Sequence, residues 1–74
     1  MIDRDELETR FTHHVPFGTQ PERYGLLIDQ GKQLAVTILA HTPDSREQSL
    51  ALTKLEEVVF WANAAIARRE TPAK

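Results

Sequence analysis

Cysteine is absent from the 74 residues, and with it go two staples that short chains rely on, a disulfide framework and a thiolate zinc site. Chains near this size bury only about 60% of the surface that their unfolded form exposes, so oligomerisation is the simplest remaining route to stability. A cysteine-free chain also suits a reducing, cytoplasmic setting. Long apolar runs are missing as well. No stretch reaches the roughly 18 residues of a membrane span, and the opening MIDRDELETR is too acidic and too polar for a signal peptide. A soluble protein is expected. Positive charge is not in excess either. Nine Lys and Arg against 11 Asp and Glu leave a net charge of −2, which argues against a general electrostatic grip on DNA or RNA. Small anions held in local basic pockets are compatible with that balance.

What is present reads as one all-α domain over residues 1–74. Asp3, Asp5 and Glu6 open a short helix over residues 1–10, with Ile2, Leu7 and Phe11 as its apolar residues. The stretch FTHHVPFGTQPE carries Pro16, Gly18 and Pro21 and predicts an extended or turning connector over residues 11–20. Thr19 and Glu22 then form a T-x-x-E capping box for a long helix over 21–41, with Pro21 tolerated in its first turn. Tyr24, Leu27, Ile28, Gly31, Leu34, Ala35, Ile38 and Leu39 recur at the spacing of one helical face. Gly31 interrupts that face at about 1 kcal/mol relative to alanine, which implies close approach of another backbone or of a ligand, with packing the commoner reason. HTPDSR breaks the helix at Pro43, and Asp44 with Glu47 offers a second capping box for a helix over 44–70. So short a connection makes the two long helices an antiparallel hairpin.

The last helix carries more apolar surface than one partner can cover. Ala51, Leu52, Leu55, Val58, Val59, Ala62, Ala65 and Ile66 form a seam for the first long helix. Leu50, Phe60, Trp61, Ala64 and Ala67 form a second seam pointing elsewhere. A helix that is hydrophobic all round must be enclosed. Either a second subunit or the N-terminal helix covers this seam, and Ile2, Leu7 and Phe11 offer little area for the latter. Asn63, a lone amide in the run, needs a hydrogen-bond partner: an interhelical bond that fixes register, or a ligand.

In combination, FTHHVP, PERYGLLIDQGKQLA and PDSREQSLALTKLEEVVFWANAAIARRE resemble the phage anti-CBASS sponge family, small hairpin-domain proteins related to the anti-Thoeris sponges. The resemblance runs from about Phe11 to Glu70, and SREQSLALTKLEEVVFWANAAIARRE is its most specific part. It implies an all-helical protein that assembles as a compact homohexamer and carries no catalytic residues, metal or cofactor. It further implies sequestration, without hydrolysis, of cyclic dinucleotides such as cGAMP and cyclic trinucleotides such as cAAA. Such a protein would act in the cytoplasm of the infected bacterial host, blocking immune effector activation, with no DNA or membrane partner.

The residues offer the chemistry such a ligand needs, aromatic platforms for its bases and cationic donors for its phosphates. Phe11, His13, His14, Phe17 and Tyr24 lie in or beside the connector, and Lys32, Arg46, Arg68 and Arg69 supply positive charge. From the family pattern, His13 or His14 and Lys32 are expected to hold a dinucleotide, and Arg68 to face phosphate. Phe17, Tyr24 and Asn63 complete the candidate ligand-binding set. His13 stands where a phenol is usual and Asp29 where a basic residue commonly follows the isoleucine, which predicts reduced dinucleotide affinity or altered base preference. Ordinary structural roles compete at several positions: Tyr24 as a half-buried residue with a wet hydroxyl, Phe11 as a core plug, Arg68 and Arg69 as charges suited to a helix C-terminus. Two other functions compete as well, an enzyme using His13, His14 and His41, and an oligomeric helical protein-interaction or regulatory module.

Overall fold

Local signals place three helices, and the computed structural model describes residues 1–72. Helix α1 (Arg4–Phe11) starts where the Asp3 carboxylate accepts the Glu6 N–H at 2.8 Å, an N-cap that satisfies one orphan donor of the first turn. Helix α2 (Gln20–His41) follows a tight turn in which the Gln20 N–H donates to the Phe17 carbonyl at 3.0 Å. Gly18 takes a φ of 58° in that turn, a left-handed geometry that glycine adopts without steric cost. The expected Thr19 capping box does not form. The Thr19 hydroxyl accepts from Arg23 Nε at 3.1 Å instead. Helix α3 (Arg46–Arg69) is capped one residue later than the Asp44–Glu47 pattern suggests: Ser45 Oγ accepts the Gln48 N–H at 3.1 Å. Ser45 and Gln48 are an S-x-x-Q box of the same kind, and its register prevails because the Gln48 amide also donates to the Thr42 carbonyl and hydroxyl, closing the bend.

Helices α2 and α3 pack as an antiparallel hairpin. Tyr24, Leu27, Gly31, Ala35 and Ile38 on α2 meet Leu52, Leu55, Val59, Ala62 and Ile66 on α3, and all are half-buried. The seam is narrower than its sequence pattern. Ile28, Leu34, Leu39 and Val58 are exposed, since one neighbour covers only one stripe of a helix. Gly31 lies under Val59: a methyl group at position 31 would stand 2.5 Å from Val59 Cγ2. The glycine is therefore explained by packing, against a side chain.

The open end of the hairpin is held by polar groups. Gln20, 2% exposed, accepts the Phe17 N–H and donates to the Ile66 carbonyl and to Glu70. Arg23 grips Glu70 through both Nη atoms, at 2.6 and 2.7 Å. Among the described residues only Gln20 and Gln48 are buried, and no hydrophobic side chain is. The molecule is a slab of 48 × 32 × 13 Å, its shortest dimension little more than one helix diameter. Helix α1 does not close the second seam: Ile2 and Leu7 stay half exposed, and Phe11, expected as a core plug, is 81% exposed.

Candidate functional site

Helical spacing sets one wall of the most chemically equipped cleft. Trp61, Ala64, Ala65 and Arg68 fall at i, i+3, i+4 and i+7 on α3 and so share a face. The alanines keep that face low, and Trp61 and Arg68 stand at either end of it. Arg10 and Phe11, in the last turn of α1, form the opposite wall, and Arg69 closes the end. The resulting cleft has a volume of about 470 Å³.

Its electrostatics follow from who is paired. Glu6 accepts both Nη groups of Arg69 at 2.9 Å and Arg10 Nε at 2.7 Å. These hydrogen bonds, Arg69 first, hold the Glu6 carboxyl down at about 2. Arg68 has no carboxylate partner among the described residues. Its Cζ lies 5.9 Å from the Trp61 ring centroid, a cation–π contact that orients the guanidinium while leaving its charge uncompensated. The cleft thus combines three guanidinium groups with two exposed aromatic rings. Flat bases can stack on such rings, and phosphodiester oxygens can accept from such donors.

The sequence-predicted residues are distributed over several places. Arg68 lies in this cleft. Lys32 does not: it edges a groove of about 420 Å³ between α2 and α3, bounded also by Gly31, Glu56, Val59 and Phe60, and shares a shallow recess with Asp29. His13 is exposed in the connector. His14 is half-buried, with Nε2 donating to the Thr9 carbonyl at 2.8 Å, a contact that ties the connector back to α1. Phe17 is half-buried in the turn before α2, and Tyr24 is half-buried on the inward stripe of α2. Asn63 Oδ1 is buried without a hydrogen-bond partner, and Asn63 does not line the cleft. His41 ends α2, while His13 and His14 precede its start. Among the described residues no three His, Asp or Glu side chains gather as a metal-binding group.

The cleft also contains residues that sequence reasoning placed elsewhere. The sequence pattern groups Trp61 with Phe60 in a single second seam. The two rings meet edge to face, centroids 5.3 Å apart at 82°, and they divide that surface: Phe60 borders the α2–α3 groove and Trp61 the α1–α3 cleft. The 61-64-65-68 spacing was the available signal for the α3 wall. Nothing in the spacing of Arg10 and Phe11 indicates that they face it.

The family model described as Acb2/Tad1, hairpin domain, matches residues 3–67. No curated protein and no solved structure matches the chain. No helix among the described residues is long and apolar enough to cross a membrane.

Proposed function

The chain belongs to the Acb2/Tad1 hairpin family, the anti-CBASS and anti-Thoeris sponges, sequestering proteins of nucleotide-binding type, and on that basis we propose that it captures cyclic oligonucleotide second messengers without cleaving them. Its ligands are cyclic dinucleotides such as cGAMP and cyclic trinucleotides such as cAAA. It acts as a phage anti-CBASS protein in the cytoplasm of the infected host, where a stoichiometric trap keeps immune effectors inactive.

The observation that carries this reading is the cleft of Arg10, Phe11, Trp61, Arg68 and Arg69. A base stacks on Phe11 or Trp61, each such contact being worth about 1–3 kcal/mol. Arg68, held by the indole and without a carboxylate partner among the described residues, meets a phosphate. None of these groups is a general base placed beside an activated nucleophile, so the arrangement suits holding a phosphodiester rather than breaking it.

Assembly completes the sites. A compact monomer of this mass exposes roughly 4,600 Å², whereas the chain exposes 6175 Å². The excess, roughly 1,600 Å², is about twice what one partner contributes to a standard interface. Each chain therefore has surface for more than one neighbour, as a homohexamer requires. Around a two-fold or three-fold axis, identical side chains meet the repeat of a cyclic di- or trinucleotide. His13 or His14, Phe17, Tyr24 and Lys32 serve the dinucleotide, at a site that a neighbouring chain completes.

The direct test is capture and release. Purified protein is incubated with cGAMP and with cAAA, freed of unbound nucleotide, denatured, and its supernatant examined. Intact nucleotide in proportion to protein is the expected result. Cleaved product would point to an enzyme, and absence of both capture and cleavage would favour a protein-interaction module.

A further inference from the structure

Helix α1 supplies one wall of the cleft yet buries none of its own residues. Among the described residues, the only side-chain hydrogen bonds joining it to α3 are those from Arg69 to Glu6. Glu6 and Arg10 lie one turn apart on the same face of α1, and the Glu6 carboxylate takes Arg10 Nε as well. Glu6 itself does not line the cleft. It stands behind the two arginines, and its bonds leave both Nη groups of Arg10 and the Nε of Arg69 without an acceptor among the described residues.

We propose that Glu6 is the positioning residue of this cleft, latching α1 to α3 and presenting Arg10 and Arg69 to the phosphates of a cyclic nucleotide. The proposal rests on the sponge reading above. Two physical consequences follow from one carboxylate sharing two guanidinium groups. It fixes the distance between the cationic donors, because a bidentate Arg–carboxylate pair has a defined plane. It also offsets the mutual repulsion of Arg10 and Arg69, so that both can point toward one anion site before the ligand arrives, which lowers the cost of ordering them on binding. A carboxylate placed inside the cleft would instead repel phosphate, and the position of Glu6 outside the lining separates the two roles.

The test uses the full-length assembled protein with two readouts, hydrogen exchange of the α1 amides and titration with cAAA. Glu6→Gln keeps the shape of the side chain and removes its charge. It is expected to weaken cAAA retention about tenfold, the equivalent of one charge-assisted hydrogen bond, and to speed exchange of amides in α1 while α2 and α3 keep their protection. In a background already carrying Arg10→Ala and Arg69→Ala, the same substitution should change retention no further, which a general loss of stability would not reproduce. Unchanged retention, tighter binding in Glu6→Gln, or an undiminished effect in the double-alanine background would each overturn the proposal. If wild-type protein captured no cAAA while α1 protection still fell in Glu6→Gln, the sponge reading would fail and the latch would stand.

Discussion

Arg68 and Gly31 show how single side chains acquire different meanings from their surroundings. Arg68 occupies the last turn of α3, where a positive charge is favoured by the helix dipole in any protein. Its placement over Trp61 and its lack of a carboxylate partner among the described residues give it a second role. Arg68→Ala is expected to weaken retention of cAAA about tenfold or more while leaving the assembly's mass unchanged, since a charge-assisted hydrogen bond contributes about 1.5–3 kcal/mol. Equilibrium dialysis and light scattering on the same sample check both halves, and wild-type retention would reject the assignment. Gly31 is a packing residue. In Gly31→Ala the added methyl meets Val59, a β-branched side chain with little rotameric freedom. Overpacking costs about 1–3 kcal/mol against a helix-propensity gain of about 1 kcal/mol. A lower midpoint in denaturant is expected, and a more stable variant would show that Val59 yields.

Between elements, polar groups fasten what apolar contacts leave loose. Glu70, just past the end of α3, accepts from Arg23 and Gln20, and these bonds hold its carboxyl down at about 2. Glu6 is held equally low by Arg69 and Arg10. The ordinary value for both is 4.5. A carboxyl depressed in the folded state contributes stability that is present above its unfolded value and lost as pH falls through the folded one. Their contribution to stability is therefore complete above about pH 5 and is lost progressively between about pH 5 and pH 2, where the carboxylates of the folded chain themselves take up a proton. Thermal unfolding followed by circular dichroism should show a midpoint that falls on acidification through that window and changes little from pH 5 to 7 on account of these two groups. A flat profile down to pH 2 would show that neither clasp is maintained in solution.

At the level of the molecule, surface exposure is the dominant fact. No hydrophobic side chain among the described residues is buried, and Phe60 and Trp61 are 58% and 57% exposed. Burying an aromatic side chain stabilises by about 1.5–3 kcal/mol, so such a chain gains by association. On the proposed homohexamer, Trp61→Asp, which puts a charge on that surface, is expected to lower the mass seen in light scattering. The variant at its original mass would remove Trp61 from the interface and leave it to the cleft alone.

The all-helical class, the hairpin and the excess apolar surface were legible in the chain, because helical periodicity, Pro43 and a run with one polar residue are local or compositional signals. The family was legible for a related reason: its most specific stretch is contiguous in α3. Caps were only partly legible. Two overlapping box patterns competed at residues 44–48, and the Gln48 contact with Thr42 selected between them. The cleft required the third dimension. Arg10 and Phe11 lie 51 and 50 residues from Trp61 in sequence, and no periodicity links residues that far apart. Among the described residues one ion pair, Glu6 with Arg69, joins their helices, and its geometry is set by where the connector turns and how α2 returns the chain. Local preference writes each helix into its own segment, while the place where helices face one another comes from packing and charge pairing between segments that are strangers in sequence.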